Sequence, residues 1–280
     1  MLQSQIEELF EKTPGQYTDG DFRVFQKFKD ALNAGEVRAA ESDSHEKSGW
    51  RVNGWVKKGI LLGFRMGKLV DFSVDPARLP FFDKHTYPLK QLTVASGVRI
   101  VPGGSSIRDA CYVGKGVTCM PPMFINVGAY VGEGTLVDSH ALIGSCAQVG
   151  RNCHISAGVQ IGGVLEPIGA LPVIVEDDVL VGGNSGVYEG TVIKRRAVIG
   201  TGTVLNRSTP VYDLVRSEVH ISGTAEEPLV IPENAVVVPG GRAITKGKGA
   251  EWGISLYTPV IVKYRDAKTD AKIQLEDLLR

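Results

Sequence analysis

Residues 101–161 read VPGGSSIRDACYVGKGVTCMPPMFINVGAYVGEGTLVDSHALIGSCAQVGRNCHISAGVQI, and every sixth position holds the same kind of side chain. Ten of the eleven positions are Ile or Val: Val101, Ile107, Val113, Cys119, Ile125, Val131, Val137, Ile143, Val149, Ile155 and Ile161. The step resumes after an interruption with seven aliphatic residues: Val175, Val181, Val187, Ile193, Ile199, Leu205 and Val211. A fixed period sustained over this length indicates a repeat architecture.

A period of six suits a short strand followed by a turn. It cannot keep one face of a helix of 3.6 residues per turn pointing inward. The position after the aliphatic residue is often Gly, and the position four after it is usually small or β-branched. Three such units make one triangular coil, and coils stack by parallel strand pairing around an aliphatic centre. The sequence therefore predicts a mainly β chain folded as a parallel β-helix, whereas a β-sandwich would space its strands irregularly.

The segments on either side of the repeat break the period. LQSQIEELFEK (2–12) and DFRVFQKFKDALNAG (21–35) have apolar spacings of three and four, which predict helices. We therefore expect a mostly helical N-terminal domain at 1–96, a β-helix at 97–240 and a short C-terminal extension at 241–280. Within the extension, VIVKY is β-rich and QLEDLLR is helix-like.

The repeat slips in phase between Ile161 and Val175, which are fourteen residues apart instead of twelve. We expect residues 163–173 to form a loop extruded from the prism. Such loops often carry binding residues, although a solvated bulge without a role is equally common.

Composition excludes several classes of function. Lys plus Arg equals Asp plus Glu at 31 each, so no basic excess indicates nucleic acid or a membrane surface as a partner. The N-terminal MLQSQIEELFEK has acids within its apolar pattern, which argues against a signal peptide or span and predicts a cytoplasmic protein. The four cysteines form no CxxC pair and are expected to be reduced structural thiols: Cys111, Cys119, Cys146 and Cys153.

Two rival functions share this architecture. A zinc trimer of the γ-carbonic-anhydrase type needs three converging histidines, but the prism contains only His140 and His154, so no metal is expected. A non-enzymatic scaffold is the second rival. No Walker or Rossmann fingerprint is present, since GEGTL and GTGTV belong to the repeat.

Several unrepeated strings resemble the tetrahydrodipicolinate N-succinyltransferase family. They are GWVKKGILLGFR (54–65), GVRIVP (97–102), NVGAYVGEGTLVDSHALIGSCAQVG (126–150), IGGVLEP (161–167) and VIVKYRDAKTDAKIQLEDLLR (260–280). The resemblance implies a left-handed coil, opposite to the usual crossover rule. It also implies succinyl transfer from succinyl-CoA to the amine of 2-amino-6-oxopimelate, the opened form of tetrahydrodipicolinate, in lysine and diaminopimelate biosynthesis. Family members are homotrimers with sites between neighbouring prisms.

The resemblance implies roles for two residues. Asp138 stands in the slot where positions 132, 144 and 150 carry Gly, and it matches the family's essential acid. Its carboxylate would bind the attacking amine and accept its proton, although Asp also simply tolerates turns. Arg99 in GVRIVP matches the position that contacts the dicarboxylate, which a guanidinium grips bidentately. A solvated or packing arginine is the alternative.

One string departs from the family. Members typically read SEVVEG where this chain reads SGVYEG, so Gly186 replaces a glutamate proposed to assist catalysis. Glu189 keeps the second glutamate of the string and is a candidate for the catalytic role. Glu166 and His140 are further candidates, and each of these residues is equally consistent with a solvated surface position.

The acyl-CoA co-substrate needs cations for its phosphates. Lys246 and Lys248 in the Gly-rich TKGKG are expected to meet them, with Lys194, Arg195 and Arg196 as a weaker candidate set. Charge runs of either kind are usually solvated surface. N-acetyl transfer to the same acceptor, or acyl transfer to a sugar nucleotide, remains open beside succinyl transfer.

Overall fold

The N-terminal part contains the two predicted helices and a third. The computed structural model describes residues 1–222 and 227–266. The three helices are α1 Leu2–Phe10, α2 Asp19–Ala34 and α3 Gly54–Met66. Thr18 caps α2 by accepting from the backbone N–H of Asp21, whose side chain accepts from the backbone N–H of Thr18. The three helices pack around buried aromatic and aliphatic residues, chiefly Phe25, Phe28 and Ile60.

Two short hairpins and a single turn of 3-10 helix complete this part. They are β1 Ala40–Ser42 with β2 Trp50–Val52, β3 Leu69–Asp71 with β4 Phe82–Lys84, and the 3-10 turn Val94–Ser96.

Most of the described elements after residue 96 are short strands. Those of the regular coils are β5 Arg99–Ile100, β6 Ser106–Ile107, β7 Tyr112–Val113, β8 Thr118–Cys119, β9 Phe124–Ile125, β10 Tyr130–Val131, β11 Leu136–Val137, β12 Leu142–Ile143, β13 Gln148–Val149, β14 His154–Ile155, β15 Gln160–Ile161, β16 Ile174–Val175, β17 Leu180–Val181, β18 Gly186–Val187, β19 Val192–Ile193, β20 Val198–Ile199 and β21 Val204–Leu205. The later elements are β22 Val211–Asp213, β23 Glu218–His220, β24 Val230–Ile231, β25 Ala235–Ala243, α4 Gly247–Glu251 and β26 Ser255–Tyr264.

These strands form the three faces of a prism. The first face contains β7, β10, β13, β16, β19 and β24; the second contains β5, β8, β11, β14, β17, β20 and β25; the third contains β6, β9, β12, β15, β18 and β21. Neighbouring coil strands on each face are parallel. The second residue of a strand points inward, as Val131, Val137 and Ile143 do at 0% exposure. The predicted class, a left-handed parallel β-helix with a small helical N-terminal part, is confirmed.

The six-residue period predicted the wrong strand position for two residues, Val101 and Val211. Val101 lies outside β5. The residue of β5 that pairs with Cys119 is Ile100, so their separation is nineteen residues instead of the eighteen of a regular coil. β5 is the terminal strand of its sheet, so stacking holds it on one side only. Val211 fits the step of six and is buried, but it lies in β22, which pairs with β23 and β26. The prediction that Val211 continues the coil was therefore wrong.

A second insertion explains the error at Val211. The coil resumes at β24, where Val230 pairs with Val192, a separation of 38 residues. The extra residues between β21 and β24 include the β22–β23 hairpin. An apolar residue of this inserted hairpin falls on the step of six by coincidence, because the step depends on residue type alone and not on which strands pair.

The first interruption lies between β15 and β16. Gln148 pairs with Ile174, so this coil contains 26 residues in place of 18. The loop packs on α3, since Lys57 Nζ donates to the carbonyls of Ala170 at 2.5 Å and Pro167 at 3.5 Å. Lys57 is fully buried, and this contact ties the helical part to the prism.

The C-terminal strands form a long hairpin. β25 continues the second face through its pairing with β20 and then runs antiparallel to β26, with α4 at the tip. The β-rich VIVKY lies within β26, while QLEDLLR lies outside the described residues. None of the helices in residues 1–222 and 227–266 combines the length and apolar character that crossing a membrane requires.

Candidate active site

Asp138 follows β11 directly, at the turn from the second face to the third. Its backbone N–H donates to the carbonyl of Ile155 at 2.9 Å, and its carbonyl accepts from the N–H of Ala141 at 3.2 Å. Its Oδ1 accepts from the N–H of Ser139 at 2.7 Å. The half-buried side chain is therefore held at a rigid turn with its second oxygen available to a ligand.

The pairing of strands identifies the neighbours of Asp138 in the stack. Val137 pairs with Cys119 on one side and Ile155 on the other, so Asp138 lies between Met120 and Ser156. The later coils carry Gly182 and Gly200 at the same turn, whereas the glycines at 132, 144 and 150 belong to the other two turns. The residues at this turn after β8, β11, β14, β17 and β20 are therefore Met120, Asp138, Ser156, Gly182 and Gly200, and Asp138 is the carboxylate among them.

Arg99 begins β5 on the same face as Asp138. It pairs with Thr118, which in turn pairs with Leu136, two residues before Asp138. The spacing between strands puts the Arg99 and Leu136 backbones about 10 Å apart. Arg99 is exposed, so its guanidinium remains open to a ligand.

Glu189 occupies the turn from the third face to the first, away from Asp138. Its backbone has φ +54°, a left-handed conformation, and its Oε2 accepts from the N–H of Arg207 at 3.1 Å. The exposed carboxylate therefore holds the next coil. Glu166 is exposed in the extruded loop, and His140 is exposed at the Asp138 turn with φ +61°.

Gly186 is covered by a residue that the sequence reasoning did not single out. A Cβ at 186 would overlap Cε2 of Tyr188 and lie 2.7 Å from its hydroxyl. The ring also lies against Gly162, where a Cβ would meet Cδ1 at 2.8 Å. Tyr188 is itself the second difference between SGVYEG and SEVVEG, so comparing the two strings position by position is the signal that would have found it.

The two candidate lysines lie at the tip of the C-terminal hairpin. Lys246 stands at the N-cap position of α4, makes no side-chain capping hydrogen bond and is exposed. Lys248 Nζ is 2.5 Å from Glu251 Oε2, which partly neutralises it. In the alternative set, Lys194 Nζ donates to Glu176 Oε1 at 2.9 Å and to the carbonyl of Ser48, so it joins the prism to the β1–β2 hairpin.

One chain does not bring these groups together. Asp138 and Glu189 lie on different turns and two coils apart, about 10 Å along the axis. β25, the strand that leads to Lys246, is four strands from β11, or about 19 Å. A single prism therefore offers Asp138 and Arg99 on one face and the lysines at its far end.

The four cysteines lie in the interior. All are free and buried, and burial raises the pKa of each thiol to about 12. Thiolate chemistry at neutral pH is thereby disfavoured.

One cluster of possible metal ligands occurs in the described part of the chain, and it lies in the inserted hairpin. Ligand atoms of Asp213, Glu218 and His220 are within 4.8 Å of one another. Asp213 already accepts from the Tyr264 hydroxyl at 2.6 Å and from the N–H groups of Val215 and Arg216. This carboxylate therefore serves the local fold.

Comparison with known proteins matches both the helical part and the prism. Residues 1–66 match the profile described as "Tetrahydrodipicolinate N-succinyltransferase N-terminal". Residues 172–207 match "Hexapeptide repeat of succinyl-transferase".

Individual relatives match over most of the chain. A 2,3,4,5-tetrahydropyridine-2,6-dicarboxylate N-succinyltransferase of Polynucleobacter asymbioticus is 43% identical over 90% of this chain and 86% of its own length. The enzyme of that name from Xylella fastidiosa is 40% identical over 100% of this chain and 97% of its own. A solved Campylobacter jejuni structure, provisionally described as a 2,3,4,5-tetrahydropyridine-2-carboxylate N-succinyltransferase, is 14% identical over 90% of this chain and 64% of its own, with a TM-score of 0.48. The chain belongs to the tetrahydrodipicolinate N-succinyltransferase family.

Proposed function

We propose that this protein transfers a succinyl group from succinyl-CoA to the amine of 2-amino-6-oxopimelate, the opened form of tetrahydrodipicolinate, in lysine and diaminopimelate biosynthesis. The supporting observation is the half-exposed carboxylate of Asp138 at a rigid turn of a chain that belongs to the family over its whole length. A fixed carboxylate with a free oxygen is suited to receiving the proton of an attacking amine.

The reaction has two bond changes. The neutral amine attacks the thioester carbonyl, which forms the C–N bond and makes the nitrogen acidic. Asp138 accepts the nitrogen proton. Collapse of the tetrahedral intermediate breaks the C–S bond, and CoA leaves as a thiolate that takes up the proton held by Asp138, which regenerates the carboxylate.

Arg99 supplies the contact with the acceptor in this proposal. A guanidinium binds a carboxylate through two parallel hydrogen bonds, so it selects a dicarboxylate acceptor over a simple amine. Its position on the face that bears Asp138 supports this assignment.

Lys246 and Lys248 are proposed to meet the CoA phosphates. Both are exposed at the tip of the β25–β26 hairpin. Glu189 is retained as a second catalytic carboxylate, although its hydrogen bond to the Arg207 N–H also gives it a role in the turn.

The working unit is proposed to be a homotrimer in the cytoplasm, without a metal cofactor. The separation of Asp138 from Glu189 and the lysines supports the homotrimer, because a neighbouring prism can bring those groups to a site that one chain leaves incomplete. Light scattering that gives a monomer at assay concentration would contradict it.

Two alternative functions stand beside succinyl transfer: N-acetyl transfer to the same acceptor, and acyl transfer to a sugar nucleotide. Turnover of succinyl-CoA and acetyl-CoA should be compared with 2-aminopimelate as a stable acceptor. A kcat/KM at least about tenfold higher for succinyl-CoA is expected. A preference for acetyl-CoA would assign acetyl-CoA as the donor, and absence of turnover with both donors would reject the proposal.

A further inference from the structure

A cavity of about 350 Å³ lies between the β1–β2 hairpin and the turn from the first face to the second. It is separate from the Asp138 turn, which joins the second face to the third. Arg38, Trp50 and Tyr130 line it from the interior, and Arg151, Asp177 and Arg195 line its rim.

The guanidinium of Arg38 is held rigidly in this cavity. It stacks on the ring of Tyr130 at 3.7 Å and lies 5.7 Å from the ring of Trp50. Its Nε donates to Gln148 Oε1 at 2.9 Å, and the Gln148 amide is oriented by donating to the carbonyl of Cys146 at 2.9 Å. Tyr130 is in turn stacked on Tyr112 at 4.5 Å.

Arg38 has no ion-pair partner within residues 1–222 and 227–266, and its Nη atoms donate no hydrogen bond there. The acids nearby are engaged elsewhere: Glu176 Oε1 accepts from Trp50 Nε1 at 2.9 Å and from Lys194, and Asp177 Oδ1 accepts from the Arg151 N–H at 2.7 Å. Burial lowers the pKa of Arg38, and the nearby charges of Glu41 and Asp177 oppose that shift only in part.

A partly buried guanidinium without a carboxylate is costly to keep, because buried charges are normally paired. Stacking on aromatic rings offsets some of this cost. The stacking leaves the two Nη atoms free to donate, and these two atoms can bind an oxyanion through two parallel hydrogen bonds. The rim arginines each have a carboxylate partner, Arg151 with Glu133 and Arg195 with Asp178, so Arg38 is the unpaired cation of the cavity lining.

We infer that the Arg38 cavity, which lies on a different turn of the chain from Asp138, is a binding site for a small oxyanion, a carboxylate or a phosphate. The ligand's oxygens bind the free Nη edge of Arg38, and Trp50 and Tyr130 hold the guanidinium plane. A volume of about 350 Å³ accommodates a metabolite-sized molecule. Because the site joins the helical part to the prism, occupancy should also stabilise their contact.

Trp50 makes the site directly observable. Its ring lines the cavity, so its fluorescence should change on binding. The full-length protein is titrated with inorganic phosphate, with succinate, and with sodium chloride at matched ionic strength. A saturable change with phosphate or succinate but not with chloride is expected, and the tighter of the two identifies phosphate or carboxylate as the preferred group. Trp50→Phe should abolish the signal.

Variants of two cavity arginines, Arg38 and Arg151, test whether the oxyanion binds in this cavity. Arg38→Gln should weaken the affinity at least about tenfold, whereas Arg78→Gln, at a side chain 86% exposed, should leave it unchanged. If Arg38→Gln fails to fold, Arg151→Gln at the rim should weaken binding about threefold with the stack intact. A response that is linear in ligand, or affinities unchanged in both cavity variants, would overturn the inference.

Discussion

The ring of Tyr188 fills the space that a side chain at Gly186 would need, with Cε2 overlapping the Cβ position and the hydroxyl 2.7 Å from it. Two departures from the family string SEVVEG are therefore physically coupled. A glutamate at position 186 should clash with the Tyr188 ring, whereas a valine at position 188 should leave room for it.

A double-mutant cycle tests this coupling. Gly186→Glu should destabilise the protein by about 1 kcal/mol, since the partly exposed Tyr188 ring can swing away instead of forcing the backbone to move. Gly186→Glu combined with Tyr188→Val should recover most of that loss. Urea unfolding of the four proteins measures the coupling, and additive effects of the two changes would contradict it.

The pair Lys29 and Asp109 anchors α2 to the prism. Lys29 Nζ is 2.7 Å from Asp109 Oδ2, and Asn33 Nδ2 donates to Oδ1 at 2.6 Å. Burial acts to raise the pKa of Asp109, but the hydrogen bonds from Lys29 and Asn33 outweigh it and the pKa is lowered. Asp109→Ala should lower the free energy of unfolding by about 3 kcal/mol at pH 7, because it leaves Lys29 buried and unpaired.

The pH dependence of that loss follows from the direction of the shift. A carboxyl with a pKa lower in the folded state stabilises the fold above its unfolded pKa, and the contribution disappears as the pH falls through the folded pKa. The difference between wild type and Asp109→Ala should thus shrink below about pH 4. Asp30→Ala, on the exposed side of α2, is the matched control and should change stability by less than about 0.5 kcal/mol at every pH. A loss independent of pH would contradict the charged pair.

The cysteines should be inert in the folded protein. All four are buried, and burial raises each pKa to about 12. Ellman's reagent at pH 8 should find no reactive thiol in native protein and four after denaturation. Rapid reaction of a native thiol would show that one of these coils opens readily.

Arg99 should act on the acceptor and not on the donor. With 2-aminopimelate as the acceptor, Arg99→Ala should raise the acceptor KM by about 30-fold or more, which corresponds to roughly 2–3 kcal/mol for a charge-assisted contact. The KM for succinyl-CoA should change little. Equal effects on the two substrates would reject the assignment.

The sequence predicted the prism well because its period is a direct consequence of stacking. Each inward residue, such as Val137, is fully buried, and the regular coils have a fixed length. An aliphatic residue at every sixth position therefore marks the side chains that point inward. The hand of the coil came only from the family resemblance, since a step of six is the same for either hand. The register of Val101 and the strand containing Val211 could not be read, because both depend on which strands pair.

The candidate site was predictable in part. The match to the family's acid predicted Asp138, and the structure holds it at a rigid turn. The glycines at 132, 144 and 150, which also singled it out, lie on the other two turns. The stacked neighbours of Asp138, Met120 and Ser156, and the cover that Tyr188 forms over Gly186, depend on contacts between coils that lie far apart in sequence. The cavity around Arg38 likewise joins two parts of the chain that local patterns describe separately.

The central claim is that Asp138 accepts the amine proton during succinyl transfer, and kcat of Asp138→Asn measured across pH at saturating substrates tests it most directly. Asparagine keeps the size of the side chain but has no basicity. We expect a kcat lowered by about a hundredfold or more, with unchanged affinity for CoA and unchanged assembly. Near-normal turnover in Asp138→Asn would contradict the claim, and a large loss in Glu189→Gln alone would assign the proton transfer to Glu189 instead.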